Sequence, residues 1–346
     1  MRQWSSIGRA ILTLLMVGAL AAPVFAAGSQ EGAEQEQSLS YNLVNELGGI
    51  DPGLAVGLDQ SRVNYSLFEG LVKIDPELNI VPGVAERWDI SDDGRTYTFY
   101  LREDATWSDG ESVTAEDFEW SWLRVIDPAT ASAGVGDYFI LENAEAYNNG
   151  QATRDEVGVE AIDDRTLEVT LAAPSPVFLQ DLIDQVFLPV RRDVVEQDPE
   201  GWSTRPDIFI GNGPFTLEAW RPRDAIVVRK NENYWDAENV TLEEVQFVII
   251  PDDNSALAAF RAGTVDLLHS APASEMGALR EENLVQTYPT TRSYWYNYNL
   301  RETVRADVRE ALQKKDVRMA LNLAIDRVAL ARSEEHTSEL QSHSDL

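Results

Sequence analysis

The residues able to do chemistry in this chain are few. Its 346 residues include no cysteine and three histidines, which removes thiolate nucleophiles, disulfides and cysteine metal sites together. His336 and His343 lie in the polar stretch from Ser333 to Leu346, leaving His269 as the sole imidazole of the main body. No Gly-x-Ser-x-Gly elbow accompanies it, so a Ser-His-Asp arrangement lacks its nucleophile signature. Carboxylates abound, with 59 Asp and Glu, but Glu116/Asp117 and Asp163/Asp164 stand where a helix cap and a turn need them. Clustered metal ligands are absent from the sequence pattern, and Gly48-Gly49 lacks the further glycines or lysine of a phosphate loop. The reading is of a protein that is not an enzyme and carries no cofactor or metal.

Aromatic surface is what the sequence offers instead: Trp88, Trp107, Trp120, Trp122, Trp202, Trp220, Trp235 and Trp295, with Tyr294, Tyr296 and Tyr298. Most such side chains belong to a core. In Tyr294-Trp295-Tyr296 a strand would put the two tyrosines on one face and the tryptophan on the other, and one of these faces could line a cleft.

The elements that must position these groups read as mixed α/β. Leu39, Tyr41 and Leu43 alternate as in a half-buried strand within Ser38 to Glu46, and Gln60 to Phe68 has helical spacing at Val63 and Leu67. Tyr97, Phe99 and Leu101 alternate in a strand over Arg95 to Arg102, entered from the Asp92-Asp93-Gly94 turn. Thr114-Ala115-Glu116-Asp117 is a capping-box variant opening a helix through Trp122 and Val125 that stops before Asp127-Pro128. Strands are expected at Thr166 to Leu171, Phe215 to Leu217 and Val245 to Ile250. Asp252 caps a helix reaching Arg261, and Val265 to Leu268 completes a strand-helix-strand unit. An aromatic strand is expected over Tyr294 to Asn299, and an amphipathic helix over Asp316 to Leu330 with Val317, Leu321, Ala324 and Val328 on one side.

Both ends of the chain read differently from its body. Arg2 and Arg9 precede an apolar run from Ala10 to Leu20, then Pro23 and the small-residue site before Ala27. That is a secretory signal peptide, residues 1–26, cut after Ala26, because the run falls short of the ~20 residues that span a bilayer. Without cysteine there is no lipid anchor at the cut, so the expected product is a free periplasmic protein. The net charge of −31 deepens to −33 once Arg2 and Arg9 are removed, which disfavours nucleic acid and anionic lipid as partners. Residues 333–346 break the pattern in mid-helix and read as a non-native tail, the frame having been cut short.

Ordered motifs along the body carry a family likeness. They include Ile50-Asp51-Pro52, Leu67-Phe68-Glu69-Gly70-Leu71, Pro82-Gly83-Val84-Ala85-Glu86-Arg87-Trp88 and Asp93-Gly94-Arg95-Thr96-Tyr97-Thr98-Phe99. Trp107-Ser108-Asp109-Gly110, Val113-Thr114-Ala115-Glu116-Asp117-Phe118 and Asp127-Pro128-Ala129-Thr130-Ala131-Ser132 follow. Later come Asn212-Gly213-Pro214-Phe215, Tyr234-Trp235-Asp236 and Ala324-Ile325-Asp326-Arg327. Together they resemble the extracellular solute-binding proteins of ABC importers, in the oligopeptide- and dipeptide-binding family, with Trp122 to Ser132 closer to the oligopeptide branch.

The resemblance implies a two-lobed periplasmic binding protein. Residues 27–68 and 190–290 would form a split first domain, 69–189 a second domain inserted into it, and 291–332 the start of a third whose remainder is missing. It implies capture of a peptide ligand between lobes and delivery to the importer's membrane permease, by a monomer. Ligand-binding residues are expected at Val56, Leu58, Tyr65, His269, Ser270, Tyr294, Trp295 and Tyr296. His269 reads equally as a polar strand-end residue, and Tyr65 equally as core packing. Val56 stands where relatives place a carboxylate and Tyr65 where they place an arginine, and the carboxylate that holds the ligand's terminal ammonium would lie beyond Arg332. The alternatives are the same fold binding a dipeptide, sugar or metal complex, and a secreted hydrolase.

Overall fold

The computed structural model describes residues 37–55, 57–286 and 297–329. The expected signal peptide, Val56, the Tyr294-Trp295-Tyr296 run and the tail from Ser333 lie outside the described residues. Two four-stranded sheets and a small hairpin organise the described part.

In chain order, β1 (Ser38–Leu43) is followed by α1 (Leu58–Leu67), the hairpin β2 (Val72–Ile74) and β3 (Ile80–Pro82), then β4 (Ala85–Ile90), β5 (Thr96–Leu101) and α2 (Ala115–Ile126). After α3 (Ala144–Asn148), β6 (Val159–Asp163) and β7 (Thr166–Thr170) come the short helices α4 (Phe178–Asp181) and α5 (Arg192–Gln197). Then follow β8 (Phe215–Arg221), β9 (Ala225–Lys230), β10 (Glu244–Ile249), α6 (Asp253–Arg261), α7 (Met276–Glu281), α8 (Ala306–Gln313) and α9 (Lys315–Leu323).

The first sheet has the order β1-β10-β9-β8. β1 runs parallel to β10, from Ser38 opposite Glu244 to Leu43 opposite Ile249, and the other pairs are antiparallel. A parallel pair needs a long connection, and here it contains the whole second sheet. That sheet has the order β4-β5-β7-β6, antiparallel throughout. In β5 the alternation places Tyr97, Phe99 and Leu101 inside, where they meet Leu167 and Val169 of β7.

α2 covers this sheet because its ends are fixed and one face is apolar. Thr114 Oγ1 accepts the Asp117 amide at 3.3 Å while Asp117 Oδ2 accepts the Thr114 amide at 2.8 Å, a reciprocal capping box. Phe118, Trp122, Val125 and Ile126 are buried at helical spacing. Trp122 also donates its indole N–H to Phe187 O at 2.9 Å and lies edge-on to Tyr138 and Phe187. Buried side chains of both sheets join in one continuous cluster, from Leu43 and Val228 to Phe99 and Trp122.

The chain crosses between the sheets at Leu67 to Leu71, and its backbone is gripped there. Gly213 N–H donates to Leu67 O at 2.9 Å, and the Asn212 side chain pairs with both the N–H and C=O of Glu69, at 3.0 and 2.8 Å. A Cβ on Gly213 would stand 2.5 Å from Leu67 C and Phe68 N, so only glycine permits this approach.

Two expected elements take another form, and half of a third lies outside the described residues. Val265 to Leu268 is not a strand: Leu267 makes one parallel bridge to Tyr41, and its carbonyl accepts from Asn42 N at 2.9 Å. The described end of the expected aromatic strand, 297–299, has no regular structure. The helix expected over Asp316 to Leu330 ends at Leu323, because the Asp326 carboxylate caps the amides of Val328 and Ala329 and opens a new turn.

Candidate ligand-binding site

α1 carries two of the expected site residues. Leu58 and Tyr65 are seven positions apart, two helical turns, so they share one face; they are 46% and 44% exposed. The opposite face buries Val63, Asn64 and Leu67. Asp59 is held from two sides: Arg62 Nη1 lies 3.2 Å from Oδ1, and Oδ2 accepts from the backbone and side chain of Asn45 at 3.1 and 2.9 Å.

The strap leading into α1 is tied to the second sheet's layer. Arg124 on α2 forks onto the buried carboxylate of Asp51, with Nη1 to Oδ1 at 3.1 Å and Nη2 on Oδ2. Gly53 lies so close to α2 that a Cβ would come 2.8 Å from Val125 Cγ2, and its carbonyl accepts from Ser132 Oγ at 2.5 Å. Gln185 Nε2 donates to Ala55 O at 3.2 Å and to Gly57 O at 3.4 Å.

Tyr65 opens onto a recess of about 590 Å³ lined by Asp137, Asp181 and Asp184 beside Ile140 and Phe187. Burial around its hydroxyl, reinforced by the Asp184 charge, pushes the phenol up to about 12. Partial burial likewise raises Asp137 and Asp181, helped by Asp184 in the first case and by Asp137 in the second. Such a recess favours a cation or ammonium and repels an anion.

His269 and Ser270 sit elsewhere. They follow the Leu267 bridge, both half-buried, and Ser270 Oγ donates to Asp253 Oδ1 at 2.9 Å at the start of α6. The structure thus brings Leu58 and Tyr65 onto one face and draws Ser270 to a different element. Sequence reasoning did not single out Gln185, Arg124 or the recess carboxylates. Asp181 and Asp184, flanking Leu182 and Ile183, were the available signal, hidden among many acids that serve as caps.

Among the described residues no helix is long and apolar enough to cross a membrane, and no group of three or more potential ligands is arranged to hold a metal ion. Residues 79–336 match the family model of bacterial extracellular solute-binding proteins, family 5. The chain belongs to that family. Among its relatives, the dipeptide-binding protein DppE of Bacillus subtilis is 33% identical over 318 residues, 91% of this chain and 57% of its own length. The periplasmic murein peptide-binding protein MppA of Escherichia coli is 37% identical over 297 residues, 85% of this chain and 53% of its own. The structure of Haemophilus influenzae OppA in complex with RPPGFSPFR superposes with a TM-score of 0.69 at 34% identity, covering 72% of this chain and 49% of that one. The chain spans about half the length of these relatives, of which DppE and MppA are named for binding. The mixed α/β architecture expected from the sequence is the architecture found.

Proposed function

We propose that this chain is the ligand-capturing portion of the peptide-binding subunit of an ABC importer, which takes an oligopeptide between two lobes and delivers it to a membrane permease. The observation that carries the reading is the family match across residues 79–336, seconded by the fold shared with a protein bound to a nine-residue peptide. In this reading the strap at Ala55 to Leu58 offers main-chain groups to an extended ligand, which grips any peptide regardless of side chain. Val56, Leu58, Tyr65, His269, Ser270, Tyr294, Trp295 and Tyr296 line its surroundings, where bridging waters tolerate varied side chains. The acidic recess at Tyr65 suits a ligand that carries ammonium groups better than a sugar or an anion. Lobe closure around the ligand is a hinge motion, and the protein acts by binding without turnover.

The same reading includes export by the segment of residues 1–26 to the periplasm, a first domain of 27–68 and 190–290, and an inserted second domain of 69–189. The strand pairing supports that division, since β1 joins β10 across the intervening sheet.

The test is thermal melting of the 346-residue chain with trialanine, trilysine, a disaccharide and a nickel chelate. Peptide at a hundredfold its Kd stabilises by about 2.7 kcal/mol, so the melting temperature rises with either tripeptide. A rise with the sugar or the chelate alone would transfer the reading to that solute, and no rise with any of them would overturn it.

A further inference from the structure

The strap proposed to meet the ligand's main chain closes a local turn, with the Leu54 and Ala55 amides on Asp51 O at 3.1 and 2.9 Å and the Gly53 amide on Asp51 Oδ1 at 3.0 Å, and is anchored from outside through its carbonyls. Gly53 O accepts from Ser132 Oγ at 2.5 Å and Ala55 O from Gln185 Nε2 at 3.2 Å, while Gly57 O takes the Ser61 amide at 3.0 Å and a longer bond from Gln185 Nε2 at 3.4 Å. Gln185 is 5% exposed, and its amide has one usable orientation. Its Oε1 accepts from Asn64 Nδ2 at 2.9 Å, which turns Nε2 toward the strap. The turn carrying Gln185 closes without that side chain. Asp184 accepts the Val186 amide at 3.0 Å, and the Phe187 and Leu188 amides donate to Asp184 O and Gln185 O. A buried amide costs free energy unless its hydrogen bonds are made, and the bonds made by Nε2 go to the strap.

We infer that Gln185, seconded by Ser132, is a positioning residue for ligand capture: a side chain of the proposed inserted domain sets where the strap's main chain meets the peptide. This rests on the peptide-binding reading and adds an actor to it. Main-chain recognition works at donor-acceptor distances of 2.7–3.2 Å, so a strap released from Gln185 loses those bonds for every peptide alike. Selectivity among side chains is left unchanged. That uniformity separates positioning from pocket lining.

The experiment uses the 346-residue chain with Gln185→Met, which keeps length without the donor, and the pair Ser132→Ala and Ser132→Thr, of which the threonine keeps the hydroxyl. Hydrogen exchange by mass spectrometry reads the amides of residues 53–61 and of β5 and β7; calorimetry reads affinity for trialanine and trilysine. In Gln185→Met the 53–61 amides exchange faster while β5 and β7 stay protected, and both tripeptides weaken by a similar factor of about ten, the weight of one lost hydrogen bond. Ser132→Ala repeats the pattern and Ser132→Thr restores it. Exchange unchanged at 53–61, accelerated everywhere, or accelerated there with both affinities intact would overturn the inference. Unequal weakening of the two tripeptides would do so too, by making Gln185 a pocket residue. If the unaltered chain binds neither tripeptide, the peptide reading fails and takes this role with it; if it binds both and the variants match it, the inference alone fails.

Discussion

Glu69 Oε1 accepts the indole N–H of Trp235 at 2.7 Å, a bond between residues 166 positions apart. Its other oxygen takes the Tyr234 hydroxyl and, at 3.3 Å, the Lys73 ammonium, while the Arg102 guanidinium lies 3.4 Å from the Trp235 ring centre. One buried carboxylate therefore fastens the crossing between the sheets to the loop after β9. Glu69→Ala leaves several donors unpaired, and we expect a stability loss of about 3–5 kcal/mol, read by urea denaturation with tryptophan emission. A loss below about 1 kcal/mol would show that the cluster is not a fastening.

The second grip on that crossing is steric. Gly213→Ala places a methyl 2.5 Å from backbone atoms of Leu67 and Phe68, and backbone cannot rotate away as a side chain can. The expected cost is about 1–3 kcal/mol, the range for overpacking. Gly136→Ala has nothing within 4 Å to meet and serves as the control, with an unchanged urea midpoint.

At α2, Thr114→Ala removes one half of the capping box and should lower stability by about 1 kcal/mol. Thr114→Ser keeps the hydroxyl and should recover most of it. Equal midpoints for the alanine and serine variants would mean that the Asp117 side chain alone holds the helix start.

The recess gives stability a pH dependence of definite sign. Asp181 is raised in the folded protein, first by burial and then by Asp137. Between the unfolded carboxylate value of about 3.9 and the raised folded value, the native state holds more protons than the unfolded chain. This contribution to stability falls as pH climbs through that window and stays low above it. Asp181→Asn should leave stability unchanged well below the window and raise it above. A variant less stable than the parent at neutral pH would contradict the assignment.

Legibility in the sequence followed local repetition. β5 shows strict alternation, α2 a capping box with an apolar face, and α6 a capping aspartate, Asp252, bonded to the Ser255 amide at 2.8 Å; each could be read without neighbours. β4 could not, because past Ala85 its side chains are half-buried or exposed and give no alternation. In β9 the run Ala225 to Val228 is buried without a break, which erases the period of two. The break at Asp326 was hidden by apolar residues that keep helical spacing across it. At the candidate site, Leu58 and Tyr65 followed from a family likeness. Gln185 lies in a turn with no motif, and the role proposed for it rests on a carbonyl 130 residues away.

The pairing of β1 with β10 also sets a timetable. A chain that emerges from its amino terminus carries Ser38 to Leu43 with no strand to join until Glu244 to Ile249 has followed. The antiparallel sheet from Ala85 to Thr170 closes over a much shorter span. Long loops close slowly, so the middle of the molecule should be built first and its leading strand last. Under the export proposed above, which threads the chain through a channel before it folds, an amino-terminal strand that stays unpaired until the end is an asset.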